Sequence, residues 1–295
     1  MRQRLCAGFR NKDRSWRSRN GAARSSCYCV LSQHAARTGT CQESGGPPMT
    51  SRHTTSLSLT DVDAGYGKVA ILSRLSFATD PGGILTILGA NGSGKSTCLK
   101  ALMGLASVTG GTIRLGDEDI TKMPVHRRVS LGLGYVPQVD NVFGDLSVDD
   151  NLRMGAFLHP QETPALREQA LELFPQLKPH LRKAARLLSG GERRMLSIAQ
   201  TLMIKPRILL MDEPSSDLSP KLVEEVFACI TDLRERMGIP VLLVEQNVTH
   251  ALRIADRVIV LAEGSKVLDR PTEAVTLDEL GEIFLGRHPV TAQQD

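Results

Sequence analysis

Hydrophobic and polar positions divide this 295-residue chain into stretches of different period. Residues 57–62 alternate, and 72–77 read as a second strand. Residues 84–88 form a short continuous apolar run between Gly82-Gly83 and Gly89, the pattern of a strand buried on both faces. A helix follows over 96–104, and a β-rich stretch then reaches 134–137. Residues 147–187 predict helix broken at Pro160, Pro164, Pro175 and Pro179. In 192–203, Met195, Ile198, Ala199, Leu202 and Met203 keep helical spacing. Strands and helices then alternate over 208–211, 222–236, 241–244, 248–254 and 258–261, with no internal repeat. This order predicts an α/β fold, a parallel sheet wrapped by helices and interrupted by a helical insertion.

Composition changes this picture mainly at the start of the chain. Residues 1–48 hold nine Arg/Lys against two Asp/Glu, so the net charge of +4 becomes −3 over residues 49–295. The basic balance belongs to the leader, and a body that is slightly acidic and only 4% aromatic in the whole chain does not suit nucleic acid. The leader, ending in Gly45-Gly46-Pro47-Pro48, reads as a disordered tail or an upstream extension with translation starting at Met49; its Arg- and Ser-rich texture also resembles a transit peptide. Cys6, Cys27, Cys29 and Cys41 lie in it, leaving Cys98 and Cys229 as isolated thiols of a reducing compartment. No stretch approaches the ~18 apolar residues that span a bilayer. Any service to a membrane therefore goes through partners.

Three constellations carry chemistry. The first is Gly89-Ala90-Asn91-Gly92-Ser93-Gly94-Lys95-Ser96-Thr97, between a buried strand and a helix. It fits G-x-x-x-x-G-K-[ST], in which curled backbone N–H groups and a helix N-terminus cradle phosphates. Lys95 is expected to reach the β- and γ-phosphates and Ser96 to bind Mg²⁺. In the second, the apolar strand 208–211 ends in Asp212 and Glu213. Beyond a strand's carboxyl end both acids can reach the phosphate site, Asp212 toward Mg²⁺ and Glu213 toward the attacking water. The third is Leu188-Ser189-Gly190-Gly191-Glu192, where Ser189 and the glycine N–H groups form a second anion site opening a helix. Two cradles for one nucleotide make sense in a dimer, with each ATP held by the loop of one subunit and the second cradle of the other.

These motifs resemble the ABC ATPase family over nearly all of 55–286, with 89–97 as Walker A, 208–213 as Walker B and 188–192 as the signature. The resemblance implies a P-loop cassette with a RecA-like parallel core, an antiparallel β subdomain, and a helical signature subdomain over about 139–195 within a domain 49–295. It further implies that Gln138 is the Q-loop residue near Mg²⁺, that Tyr66 stacks on adenine, and that Gln246 occupies the switch position and Ser219 the D-loop position. Both of the last two depart from the usual His and Asp. A Gln can hydrogen-bond phosphate but cannot accept a proton as His can. With Glu213 as base, hydrolysis of ATP is still expected.

The finer resemblance is to the ATP-binding subunits of branched-chain amino acid importers, the LivF-like group. It rests on Ala64-Gly65-Tyr66-Gly67-Lys68, residues 118–121, 145–155 and 173–177, Val244-Glu245-Gln246-Asn247, and Glu213-Pro214-Ser215 with Leu218-Ser219-Pro220. It implies a second, distinct ABC ATPase subunit as partner in a heterodimer, two transmembrane permeases, an extracytoplasmic solute-binding protein, and a peripheral place on the cytoplasmic face of the membrane. Other readings keep the fold and change the cargo to urea, amides, aromatic acids or lipopolysaccharide; exporters of the last kind usually retain the switch His. A non-transport ABC protein or an ATP-binding regulator is the reading from another class. Translation factors of that sort carry two cassettes, and DNA-maintenance proteins insert a long coiled coil, neither of which fits the single Lys95 loop lying shortly before Ser189.

Overall fold

The structure, a computed structural model, describes residues 55–139 and 141–286. The expectations for residues 1–48 and Met49 lie outside these.

Alternating residues build the first layer. Strand β1 (Leu57–Tyr66) turns back at Gly67-Lys68 into β2 (Val69–Ala78), pairing Tyr66 with Val69. The continuous apolar run becomes β3 (Ile84–Leu88), and helix α1 (Lys95–Met103) follows. Strand β4 (Ser107–Leu115) pairs antiparallel with β1, and the short β5 (Glu118–Asp119) pairs with β4, giving the order β2-β1-β4-β5. Helix α2 (Val125–Ser130) carries Arg128, whose buried guanidinium donates to the Ala101 and Leu102 carbonyls. The Ala101 carbonyl also accepts from the Gly104 N–H, so the guanidinium adds a second bond there and ties α2 to the end of α1.

The second sheet has the order β10-β9-β3-β8-β7-β6. Its members after β3 are β6 (Leu133–Val136), β7 (Ile208–Asp212), β8 (Val241–Val244), β9 (Arg257–Ala262) and β10 (Ser265–Pro271). All its pairings are parallel except β9 with β10. Period 2 along β7 sends Ile208 and Leu210 into one core and Leu209 and Met211 into another. The first core includes Leu99 and Leu102 of α1 and Leu59 and Leu75 of the antiparallel sheet. The second includes Ile198, Leu202, Phe227 and Ile230. Each such buried Leu or Ile contributes about 2 kcal/mol, so the strands must be apolar on both faces.

Between β6 and β7 lies the helical insertion: α3 (Val148–Gly155), α4 (Thr163–Leu173) and α5 (Gly190–Leu202). Pro160 and Pro175 open the 3-10 segments Pro160–Glu162 and Pro175–His180, whereas Pro164 stands in the first turn of α4 and Pro179 lies inside the second 3-10 segment. Helix α5 starts two residues before the predicted 192 because Ser189 caps it. Helix α6 (Pro220–Met237) outruns the predicted 222–236: Pro220 stands in its first turn, and Gly238 ends it in the left-handed conformation at φ 63°. Helices α7 (Val248–Ile254) and α8 (Leu277–Phe284) complete the chain. Strand β10 and helix α8 extend beyond the elements read from the pattern. No helix among the described residues is long and apolar enough to cross a membrane.

Candidate functional site

The topology determines which loops meet. Strands β3, β8, β7 and β6 lie side by side and parallel. The segments after them carry the phosphate loop, Gln246, Asp212-Glu213 and Gln138 in that order. Four distant stretches of sequence thus open at the carboxyl edge of one sheet.

The loop itself is tightly built. Gly94 precedes α1 with φ 101°, and a Cβ there would lie 2.8 Å from Leu72 Cδ2. A Cβ on Gly89 would lie 2.4 Å from Ser93 Oγ and 2.5 Å from the Leu261 carbonyl oxygen. Only glycine fits at either place. Lys95 is 4% exposed, and its Nζ donates to the Gly89 oxygen at 2.9 Å and the Ala90 oxygen at 3.1 Å. The loop therefore curls around its own ammonium group. Ser93 Oγ is buried with no hydrogen-bond partner, a polar atom left for a ligand. Ala90, Asn91 and Gly92 are exposed, while Thr97 lies half-buried in the first turn of α1.

The acids face this loop. Ser96 Oγ donates to Asp212 Oδ1 at 2.9 Å. Lys95 Nζ lies 3.7 Å from Glu213 Oε1, and Gln138 Nε2 donates to Glu213 Oε2 at 3.1 Å. Burial pushes the Asp212 pKa above its usual value, against the hydrogen bonds from Ser96 and Tyr135 and the charges of Lys100 and Lys95. Glu213 sits at φ 45°, a left-handed conformation unusual for a residue with a side chain and of the kind held at working sites. Tyr66 is 44% exposed at the end of β1, with its ring open to stacking.

The third motif stands apart. Ser189 and Gly190 are exposed at the start of α5. Ser189 Oγ accepts from Glu192 N, and Glu192 Oε2 accepts from Ser189 N at 2.8 Å, a reciprocal capping box. The Ser189 backbone N–H holds the Glu192 carboxyl below its usual pKa, assisted by the Ser189 hydroxyl and His180. Among the described residues, no hydrogen bond joins 189–191 to the phosphate loop.

Residues 72–216 match the family described as ABC transporter. The chain is 42% identical over 204 residues to the probable branched-chain amino acid transport ATP-binding protein LivF of Archaeoglobus fulgidus, covering 69% of this chain and 86% of that protein. It is 39% identical to the high-affinity branched-chain amino acid transport ATP-binding protein BraG of Pseudomonas aeruginosa, over 78% of this chain and 99% of that one. The chain belongs to the ABC transporter family. It is the ATP-hydrolysing cassette of such a transporter. The crystal structure of the ADP conformation of MJ1267, an ATP-binding cassette of an ABC transporter, shares its fold at a TM-score of 0.69 and 24% identity, over 79% of this chain and 99% of that one.

Three residues of the cassette join the site although the sequence motifs assign none of them a role, Glu245 entering only within the stretch 244–247. Tyr135 OH donates to Asp212 Oδ2 at 3.3 Å, and its own pKa is raised by burial and then by the Asp212 charge. Arg194 of α5 donates to the Pro137 oxygen at 2.8 Å and the Gln138 oxygen at 2.6 Å, fixing the Gln138 segment to the helix that Ser189 opens. Glu245 binds the segments after β7 and β8 together. Ser219 precedes α6 without a side-chain capping bond.

Proposed function

We propose that residues 89–97, Asp212 and Glu213 bind and hydrolyse MgATP to drive a branched-chain amino acid importer. The observation that carries the hydrolytic part is the convergence of Lys95, Ser96, Gln138, Asp212 and Glu213 at one sheet edge, with Ser189 and Gly190 exposed elsewhere and Gly191 buried behind them. The cargo rests on the kinship with LivF and BraG.

The protein groups suit Mg²⁺. Ser96 Oγ and Asp212 Oδ1 are hard oxygen donors in contact. A magnesium ion takes one or two such protein oxygens and keeps phosphate and water in the rest of its shell. When bound, the ion would supply charge neutralisation on the phosphates. Lys95 stabilises charge on the transferred phosphoryl group. Glu213 orients water and takes its proton as the water oxygen attacks the γ-phosphorus and the bond from that phosphorus to the β–γ bridging oxygen breaks, so that ADP and inorganic phosphate leave, while Gln138 holds the Glu213 carboxylate. Gln246 donates to the phosphate, and Tyr66 stacks on adenine. Ser189, Gly190 and Gly191 serve the nucleotide of the opposite subunit, so closure of the pair completes both sites.

The opposite subunit is a related but distinct ATPase. Phe143, Met154 and Phe157, the last 64% exposed, offer apolar side chains after the Gln138 segment to one of two permeases. The chain thereby sits peripherally on the cytoplasmic face, and an extracytoplasmic binding protein delivers solute to the complex. The test is reconstitution in vesicles with a second ATPase subunit, two permeases and a solute-binding protein. Leucine, isoleucine or valine accumulates only with ATP; ATP-dependent transport of urea or an amide without leucine uptake reassigns the cargo.

A further inference from the structure

Strand β8 is followed directly by an acid that the hydrolytic scheme leaves unused. Glu245 is only 1% exposed. Its backbone N–H donates to the Ile87 oxygen at 3.2 Å, just before the phosphate loop opens. Its carboxylate crosses to the exit of β7, where Oε1 accepts from Ser215 N at 3.1 Å and Oε2 from Ser215 Oγ at 2.9 Å. The same Oε2 accepts from Gln246 N at 3.2 Å and Asn247 N at 3.4 Å. One residue therefore joins the exits of β3, β7 and β8. It lines a cavity of about 320 Å³ together with Glu213, Ser215 and Gln246.

Every partner of this carboxylate is a donor. An ionised carboxylate only accepts and offers about four lone-pair sites, whereas an amide would turn an NH₂ group against donors. Burial raises the Glu245 pKa, and the bonds from Ser215, Asn247 and Gln246 oppose that rise. A buried charge is retained where hydrogen bonds compensate it. The neighbouring turn also needs restraint: Glu213 is held at φ 45°, and its N–H donates to the Val244 oxygen at 2.9 Å, immediately before Glu245.

We propose that Glu245 is a positioning residue for hydrolysis, fixing Gln246 against the Glu213 turn across the exits of β7 and β8. The proposal rests on the roles given above to Glu213 and Gln246. Its effect should appear in turnover and should act through Gln246.

Steady-state ATP hydrolysis by the full-length chain in its assembled transporter tests this with E245Q, Q246A and the double variant. The expected result is a kcat about tenfold lower in E245Q, with KM for ATP changed by less than about twofold. In the double variant, kcat should stay within about twofold of Q246A alone, because contacting residues that act as a unit are not additive. Wild-type kcat in E245Q, or losses that multiply in the double variant, overturns the proposal. If E245Q does not fold, S215A removes one bond of the same clamp and should lower kcat about threefold at unchanged KM; wild-type kcat in S215A then overturns it. Failure of the underlying reading appears elsewhere, as undiminished turnover by E213Q.

Discussion

Two helix N-termini of this cassette carry the motifs to which we assign anion binding, and they are built in opposite ways. Helix α1 opens on Gly94, which has no side chain to cap it, and its lysine is buried inside the preceding loop. Beyond the local Gly89 and Ala90 carbonyls, its side-chain partners come from far away, Asp212 for Ser96 and Glu213 for Lys95. Helix α5 opens on Ser189, which forms a reciprocal cap with Glu192 three residues on and remains exposed. The first terminus is assembled by the whole sheet and has its reacting groups in place. The second is self-sufficient as a helix cap and turns its open side to solvent, as expected of a surface that meets another subunit's nucleotide.

The contrast predicts different losses. Lys95→Ala should lower nucleotide affinity or turnover by at least ~100-fold, as for removal of a preorganised charge donor; unchanged steady-state hydrolysis would defeat the phosphate-loop assignment. Ser189→Ala should leave ATP binding by the single chain intact. It should cost about 1 kcal/mol of stability through the lost cap and lower turnover in the assembled pair by about tenfold. Isothermal titration and chemical denaturation separate these effects, and impaired binding in the isolated chain would erase the distinction between the two termini.

The smallest effect is one of pH. The folded state lowers the Glu192 pKa, so its contribution is fully present above the ordinary glutamate range and is lost as pH falls through the lowered value. The stability difference between the wild type and Glu192→Gln, read from urea midpoints, should therefore be largest near neutrality and shrink under acid. A difference that grows under acid would show that Ser189 does not stabilise the carboxylate.

Legibility in the sequence followed locality. The phosphate loop is contiguous, and Asp212-Glu213 ends an unbroken apolar strand, so both could be read and the α/β order around them predicted. Strand β10 (Ser265–Pro271) is an antiparallel edge with mostly polar residues, and α8 is only eight residues long. The strand lacks a strong apolar period, and the helix, although Leu277, Leu280, Ile283 and Phe284 keep helical spacing, spans only about two turns. Helix ends at Ser189 and Gly238 were set by capping rather than by the apolar stripe that marked the helix interiors. The contacts Tyr135–Asp212, Arg194–Pro137 and Glu245–Ser215 span 77, 57 and 30 positions. Strand order alone brings such residues together, and no local spacing encodes it.

The central claim is that the loop around Lys95 binds ATP and that Glu213 turns it over. The most direct measurement follows radiolabelled ATP through gel filtration of the Glu213→Gln transporter, with its hydrolysis timed alongside. The account predicts bound, uncleaved ATP and turnover reduced by about 10²–10⁴-fold. Wild-type turnover in that variant would contradict it.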